Sequence, residues 1–185
     1  MVNVSEAIAN RISVRSYEDR PVPDDVSARI VEAGQWAPNA GLFQVSVIKN
    51  AGLRQRINDR TLTAMINSGI EFLQQRASLP GYQPLYGAPL LFLLSAPADA
   101  PFSAVNTALA AENMLIEATG LGLGSCFLIS PTMALKGNRN KDLSQEAGIP
   151  EGYIVQCAVI VGYAAAESKF NLSERTRKGT VNYVE

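Results

Sequence analysis

The order of patterned segments in this chain predicts an α+β fold, a mixed α/β sandwich whose central sheet is flanked by helices on both sides. Three observations carry that expectation. Residues 90–95 and 153–163 are near-continuous apolar runs, the pattern of strands buried on both faces. Between them, residues 103–119 have helical period and an unusually wide apolar surface: Ala104, Val105, Ala108, Leu109, Ala111, Met114, Leu115 and Ala118. One packed face needs less than that, so this helix is either the centre of the core or part of a subunit interface. Finally, helices come first, and strands then alternate with helices.

The remaining elements follow in order. Residues 5–11 form a short helix. Asp24 and Asp25 cap a second one, which carries Val26, Ile30, Val31 and Ala33 and stops before Pro38. Residues 44–49 alternate as a strand, and 53–77 read as one long helix with Ile57, Met65, Ile66, Ile70 and Leu73 as its apolar stripe. Two prolines and two glycines make 78–88 a loop. Residues 125–129 form a strand, and 131–149 a loop with a short helix. From Ala164 onward there is no period and little apolar content until Val181, so this tail is either frayed or docked on something outside its own core. No repeat or low-complexity segment divides the chain, and residues 1–185 read as a single domain.

Composition narrows the function. With 185 residues, 47% hydrophobic and 18% charged, the chain is long enough for one sizeable core. A net charge of -1 and a pI near 5.6 lack the basic field of a nucleic-acid binder. No apolar run approaches the roughly 20 residues that cross a bilayer, and the first residues lack a signal-peptide pattern, so the expectation is a cytoplasmic protein with no membrane partner. Cys126 and Cys157 lie far apart inside apolar runs and read as buried thiols. The chain contains no histidine. That excludes Ser-His-Asp and Cys-His nucleophile systems and His-based metal sites, leaving other acid–base groups or a cofactor to carry any chemistry.

Four stretches hold the candidate binding groups. Arg11, Ser13 and Arg15 alternate along an extended segment, which puts three anion-binding groups on one side. Such a cluster suits a phosphate monoester; the alternative is a surface turn paired with Glu18 or Asp19. Residues 37–44 follow a proline stop with small residues, exposing backbone groups to a flat ligand. Asn39 and Gln44 add amides that donate and accept at once. An ordinary helix cap and turn would read the same way. Glycines at 120, 122 and 124 lead from helix into strand, the wrong order and spacing for a dinucleotide fingerprint. Arg175, Arg177 and Lys178 form a basic patch in the unpatterned tail, either solvated or anion-binding.

Taken in order, these stretches resemble the nitroreductase family of flavin-dependent oxidoreductases over almost the whole length. The motifs are Arg-x-Ser-x-Arg-x-aromatic at 11–17, Ala-Pro-x-x-Gly-x-x-Gln at 37–44 and Gly-Ala-Pro at 87–89. Ala-x-x-Asn-Met-Leu at 110–115, Gly-Leu-Gly-Ser-Cys at 122–126 and the basic C-terminal segment complete the series. The resemblance implies a mostly antiparallel sheet and an FMN-binding homodimer with two sites at the subunit interface. Arg11, Ser13 and Arg15 would hold the FMN phosphate and ribityl chain, closed by Arg175 or Arg177 from a tail that embraces the partner. Asn39, Ala40, Gly41 and Gln44 would reach the ring from the partner subunit, and Ile129 and Ser130 would present backbone groups to it.

The implied activity is ping-pong hydride transfer from NAD(P)H, through flavin N5, to a small electrophilic acceptor such as a nitroaromatic, quinone or enone. No side chain is assigned as catalytic, because the flavin carries the chemistry. Two other functions fit the same residues: a flavin-binding protein that stores or senses FMN, and a cofactor-free dimeric module. The chain departs from the family at Leu42, where an asparagine is usual, and at Val45-Ser46, where Pro-Trp is usual. Asn67 is a candidate to replace the lost amide.

Overall fold

A computed structural model describes residues 3–135, 141–166 and 178–184. Its centre is a four-stranded sheet in the order β1-β2-β4-β3, with β1 Gln44–Ile48, β2 Leu90–Pro97, β3 Gly124–Leu128 and β4 Tyr153–Gly162. All three pairings are antiparallel. β2 and β4 occupy the middle, and this explains the two continuous apolar runs: Leu90 to Leu94 and Ala158 to Val161 are buried on both faces.

Alternation along the strands divides the core in two. Leu91, Leu93 and Ile160 face one side, with Ile57 of α3 (Ala51–Ile66) and Ala134 of α6 (Pro131–Ala134). Leu90, Phe92, Leu94, Val159 and Val161 face the other, with Ile30 of α2 (Asp24–Gln35) and Ala110, Ala111 and Met114 of α5 (Ser103–Gly120). The sheet is therefore sandwiched as the sequence predicts. α5 buries one side completely, at Ala110, Ala111, Met114 and Ala118. It leaves Val105 and Leu109, with Phe102 just before it, in solvent.

Local expectations need correction at three places. The helix expected over 53–77 is broken. α3 ends at Ile66 and α4 runs Glu71–Ala77. The Asn67-Ser68-Gly69 run separates them, with Gly69 at φ +70, a conformation that glycine adopts without steric cost. Asp24 and Asp25 are in the first turn of α2 and do not cap it; the cap is Pro23, which makes no side-chain bond. They still favour that end of the helix electrostatically. Residues 131–149 hold α6 and also α7 (Lys141–Glu146), where one short helix was expected.

Two glycines govern how the chain closes over one end of the sheet. A Cβ on Gly124 would lie 2.9 Å from both methyls of Val14, and one on Gly162 would lie 2.5 Å from Pro89 Cδ and 2.9 Å from Tyr17 Cδ1. Only bare backbone at these points admits the segment after α1 (Val4–Asn10) to the sheet.

Both cysteines are buried, Cys126 among the first set of core residues and Cys157 among the second. Burial pushes the Cys157 thiol up to about 12, opposed by a hydrogen bond with the Thr107 side chain. Above the ordinary thiol range the unfolded chain therefore gives up a proton that the native chain keeps. The native state then binds more protons, and its stability falls as pH rises. The denaturant midpoint is expected to drop between pH 8 and pH 10, and to drop less in Cys157→Ala. Equal slopes in the two proteins would contradict this. Gly162→Ala is expected to cost about 1–3 kcal/mol by overpacking, read as a lower melting temperature; an unchanged temperature would show that the close approach is not needed.

Candidate functional site

The N-terminal cluster is fixed by backbone bonds to the β3 edge. α1 is closed by a capping box between Asn3 and Glu6, and the chain leaves it at Arg11 with extended ψ of 122. Ser13 then forms an isolated parallel bridge with Ser125, and the Val14 N–H donates to the Ser125 carbonyl at 2.9 Å. Tyr17 bridges Ala164, and its hydroxyl donates back to the Val14 carbonyl at 2.8 Å. Val14 is thereby buried, while Ser13 is half-buried and Arg15 exposed. Of the five residues 11–15, Val14 alone is fully buried.

The electrostatics leave this cluster positive. The Arg11 side chain is only 18% exposed, and its Nε lies 3.9 Å from Glu112 Oε1, a loose ion pair. Among the described residues, neither Glu18 nor Asp19 pairs with Arg11 or Arg15, so the salt-bridged surface turn is not what forms. Burial pushes the Cys126 thiol up, while Arg15, a bond with Ser13, Arg11 and Arg76 pull it down. Beside Ser13, the Ser125 hydroxyl is 1% exposed and has no hydrogen-bond partner among the described residues. An orphaned buried hydroxyl costs about 1–3 kcal/mol, which a ligand at this place would recover.

The second cluster is anchored elsewhere. The Ala40 N–H donates to Asn106 Oδ1 at 3.1 Å, and a Cβ on Gly41 would lie 3.4 Å from Asn106 Nδ2. The Asn39 amide turns back to the Ala37 carbonyl at 3.3 Å. Gln44 Nε2 donates to the Gly148 carbonyl at 2.6 Å and to Ser46 Oγ at 3.2 Å. Gln44 opens β1, at the edge of the sheet opposite β3. Three strand spacings, about 14 Å, separate the two edges, and the pairings set Gln44 level with Ser95 but Ser125 level with Val161 and Leu90, so the two lie roughly 22 Å apart on the diagonal. One chain thus does not bring Gln44 to the arginine cluster.

Ile129 and Ser130 follow directly from β3. Their carbonyls accept from Thr132 and Met133 of α6 at 3.0 Å each, so the N–H donors are what they can offer a ligand. Asn67 uses its amide to close α3, donating to the Thr63 carbonyl at 2.9 Å, and remains exposed. Arg175 and Arg177 lie outside the described residues. One neighbour was not singled out in the sequence. Asn106 is a polar residue inside the apolar pattern of α5, a signal that could have marked it. A cleft of about 520 Å³ between α3 and α7, lined by Arg56, Asp59, Arg60 and Glu146, is formed by none of these residues. No group of side chains among the described residues could hold a metal ion.

Residues 8–163 match the model of the nitroreductase family. A nitroreductase with bound FMN from Bacteroides fragilis NCTC 9343 superposes on all of this chain and of its own, with 29% identity and a TM-score of 0.89. Another with bound FMN, from Desulfitobacterium hafniense DCB-2, also covers both chains completely, with 26% identity and a TM-score of 0.80. A protein of Archaeoglobus fulgidus with the provisional name NADH dehydrogenase/NAD(P)H nitroreductase is 27% identical over 168 residues, 88% of this chain and 86% of its own. The matched span takes in the arginine segment, all four strands and the loop before β1: this chain belongs to the nitroreductase family.

Proposed function

We propose that the protein is an FMN-dependent oxidoreductase that acts as a homodimer, oxidising NAD(P)H and reducing a small electrophilic acceptor. The observation that carries this reading is the Arg11–Ser13–Arg15 cluster, pinned to β3 beside the unpartnered hydroxyl of Ser125. A phosphate monoester supplies what these groups lack: anionic acceptors for two guanidinium groups and a serine, and a neighbour for a stranded hydroxyl. The FMN bound to two similar structures is the ligand with such a group.

The rest of β3 fits the remainder of the molecule. Ser125 and Ile129 are four residues apart, about 14 Å of strand. That span separates a phosphate from a ring joined to it by a five-carbon chain. At its far end the N–H groups of Ile129 and Ser130 can donate to ring oxygen or nitrogen, favouring the negative charge of the reduced ring. Bound FMN supplies the redox chemistry, taking hydride from NAD(P)H and giving it to a nitroaromatic, quinone or enone. The protein's part is to hold, orient and shield, a role compatible with a chain that has no histidine.

A second copy supplies the Asn39–Gln44 side of the site. Gln44 lies across the sheet from Ser125 and at the other end of the strands, farther than one phosphate-to-ring span, so a second copy is taken as its source. An apolar stripe is available to join them: Phe102, Val105 and Leu109 are 62%, 54% and 41% exposed along α5, and Val4 and Ile8 lie exposed on neighbouring α1. The cytoplasm suits a reduced nicotinamide donor and two free buried thiols.

Arg11→Ala or Arg15→Ala is expected to remove a charge-assisted bond of about 1.5–3 kcal/mol and weaken FMN roughly 10- to 100-fold. Calorimetric titration reads this directly; unchanged affinity in both variants would place the phosphate elsewhere. Val105→Asp together with Leu109→Asp is expected to give a monomer by light scattering that no longer retains FMN. A dimer with full FMN content would remove α5 from the interface. Turnover is tested by mixing FMN-loaded protein, NAD(P)H and a panel of nitroaromatics, quinones and enones. Consumption of NAD(P)H that depends on the acceptor is expected. None with any acceptor would leave flavin binding without reductase activity.

A further inference from the structure

Glu112 stands on α5 at a point where the helix itself is fixed. Ala111 beside it is buried in the core, and Asn113 Nδ2 donates to the Ala33 carbonyl of α2 at 3.0 Å. The Glu112 carboxylate is less settled. It is half exposed, takes no hydrogen bond among the described residues, and lies 3.9 Å from Arg11 Nε. Glu117, further along α5, shows the contrast: it accepts a hydrogen bond from Arg29 Nη2 at 2.8 Å. Two acids on one helix thus hold their arginines differently, one by a bond and one by proximity.

Arg11 is what makes the loose pair informative. It closes α1, which packs on α5, and its side chain is largely covered. A guanidinium withdrawn from water needs an anion nearby. Glu6 of α1 is committed to the Asn3 N–H in the capping box, and neither Glu18 nor Asp19 pairs with Arg11. Among the described residues Glu112 is therefore its one carboxylate partner. Contact is on the Nε side, and neither Nη group has an acceptor among the described residues. The fork that can grip a phosphate is open, but a negative charge already stands beside it. An arriving dianion has to share the guanidinium with Glu112, and like charges so close together repel.

We propose that Glu112 is a specificity-determining residue of the cofactor site: a resident counter-ion of Arg11 that competes with the flavin phosphate and limits the preference for FMN over uncharged riboflavin. The assignment rests on the FMN reading above. The half-exposed carboxylate has no hydrogen bond to break, so it can turn toward solvent as a phosphate engages both arginines. Until then it offsets part of the cost of covering Arg11. Affinity for the cofactor is thereby set below what Arg11, Ser13 and Arg15 alone would give.

The test compares two ligands that differ in the phosphate alone. FMN and riboflavin are titrated calorimetrically into wild type, Glu112→Gln and Glu112→Ala. Both variants remove the charge, and Glu112→Gln keeps the shape. Each is expected to bind FMN roughly 3- to 10-fold more tightly, with riboflavin affinity unchanged. The deciding quantity is the ratio of FMN to riboflavin affinity, which rises in both. Glu112→Gln decides where the two variants differ, and Glu112→Ala decides where Glu112→Gln does not fold. A lowered ratio would make Glu112 a residue that positions Arg11 for the phosphate, which overturns the competition. An unchanged ratio, whether both ligands shift together or neither moves, also overturns it. In each of these cases FMN binding by wild type keeps the function standing. Wild type that binds no FMN overturns the function and the assignment together.

Discussion

Close contact between the N-terminal segment and the bare end of the sheet is the constraint on which the candidate site depends. Val14 lies against Gly124, and Tyr17 and Pro89 lie against Gly162, at distances that leave no room for a methyl group. This approach lets the Val14 N–H reach the Ser125 carbonyl, and lets Tyr17 tie the same segment from the other side. Once Val14 is seated, the alternation of an extended chain dictates where Arg11, Ser13 and Arg15 can stand. A conformationally mobile arginine pair would lose side-chain and backbone entropy on binding an anion. Here most of the backbone cost is met when the protein folds.

The sheet beneath the site explains why a protein with a well-filled core has its binding groups at the edges. β2 and β4 are buried on both faces and offer no place for a polar ligand. Polar and glycine residues gather where the strands end or where an edge is free: Gln44 and Ser46 on β1, Gly124 and Ser125 on β3. These edges lie across the sheet from one another. Symmetric pairing of two chains is the simplest way to bring one edge of each together, and it yields two equivalent sites. The exposed apolar stripe on α5 and the cofactor site are, in this account, consequences of the same sandwich.

Much of this was legible in the sequence, for identifiable reasons. Continuous apolar runs announced β2 and β4 because a central strand has no solvent face, and the over-wide surface of α5 announced either a central core helix or an interface; its packing in the core is what the structure shows. The arginine segment was expected to be extended, and it is, held to β3 by the Ser13–Ser125 bridge. The break after α3 was not. The apolar stripe continues through Ile66, Ile70 and Leu73, and periodicity outweighed the Asn-Ser-Gly run that ends the helix. Asp24 and Asp25 mark the start of α2 by charge, although Pro23 occupies the cap.

Subunit complementation tests the central claim, a flavin site shared between two chains, most directly. Arg15→Ala removes one half of the proposed site, and Asn39→Ala with Gln44→Ala removes the other. Each variant alone is expected to bind FMN poorly. When the two are unfolded, mixed in equal amounts and refolded, half of the dimers are mixed and each carries one intact site. FMN is then expected to return to about a quarter of the chains. Refolded mixtures that bind no more FMN than the separate variants would contradict a shared site and confine the cofactor to a single chain.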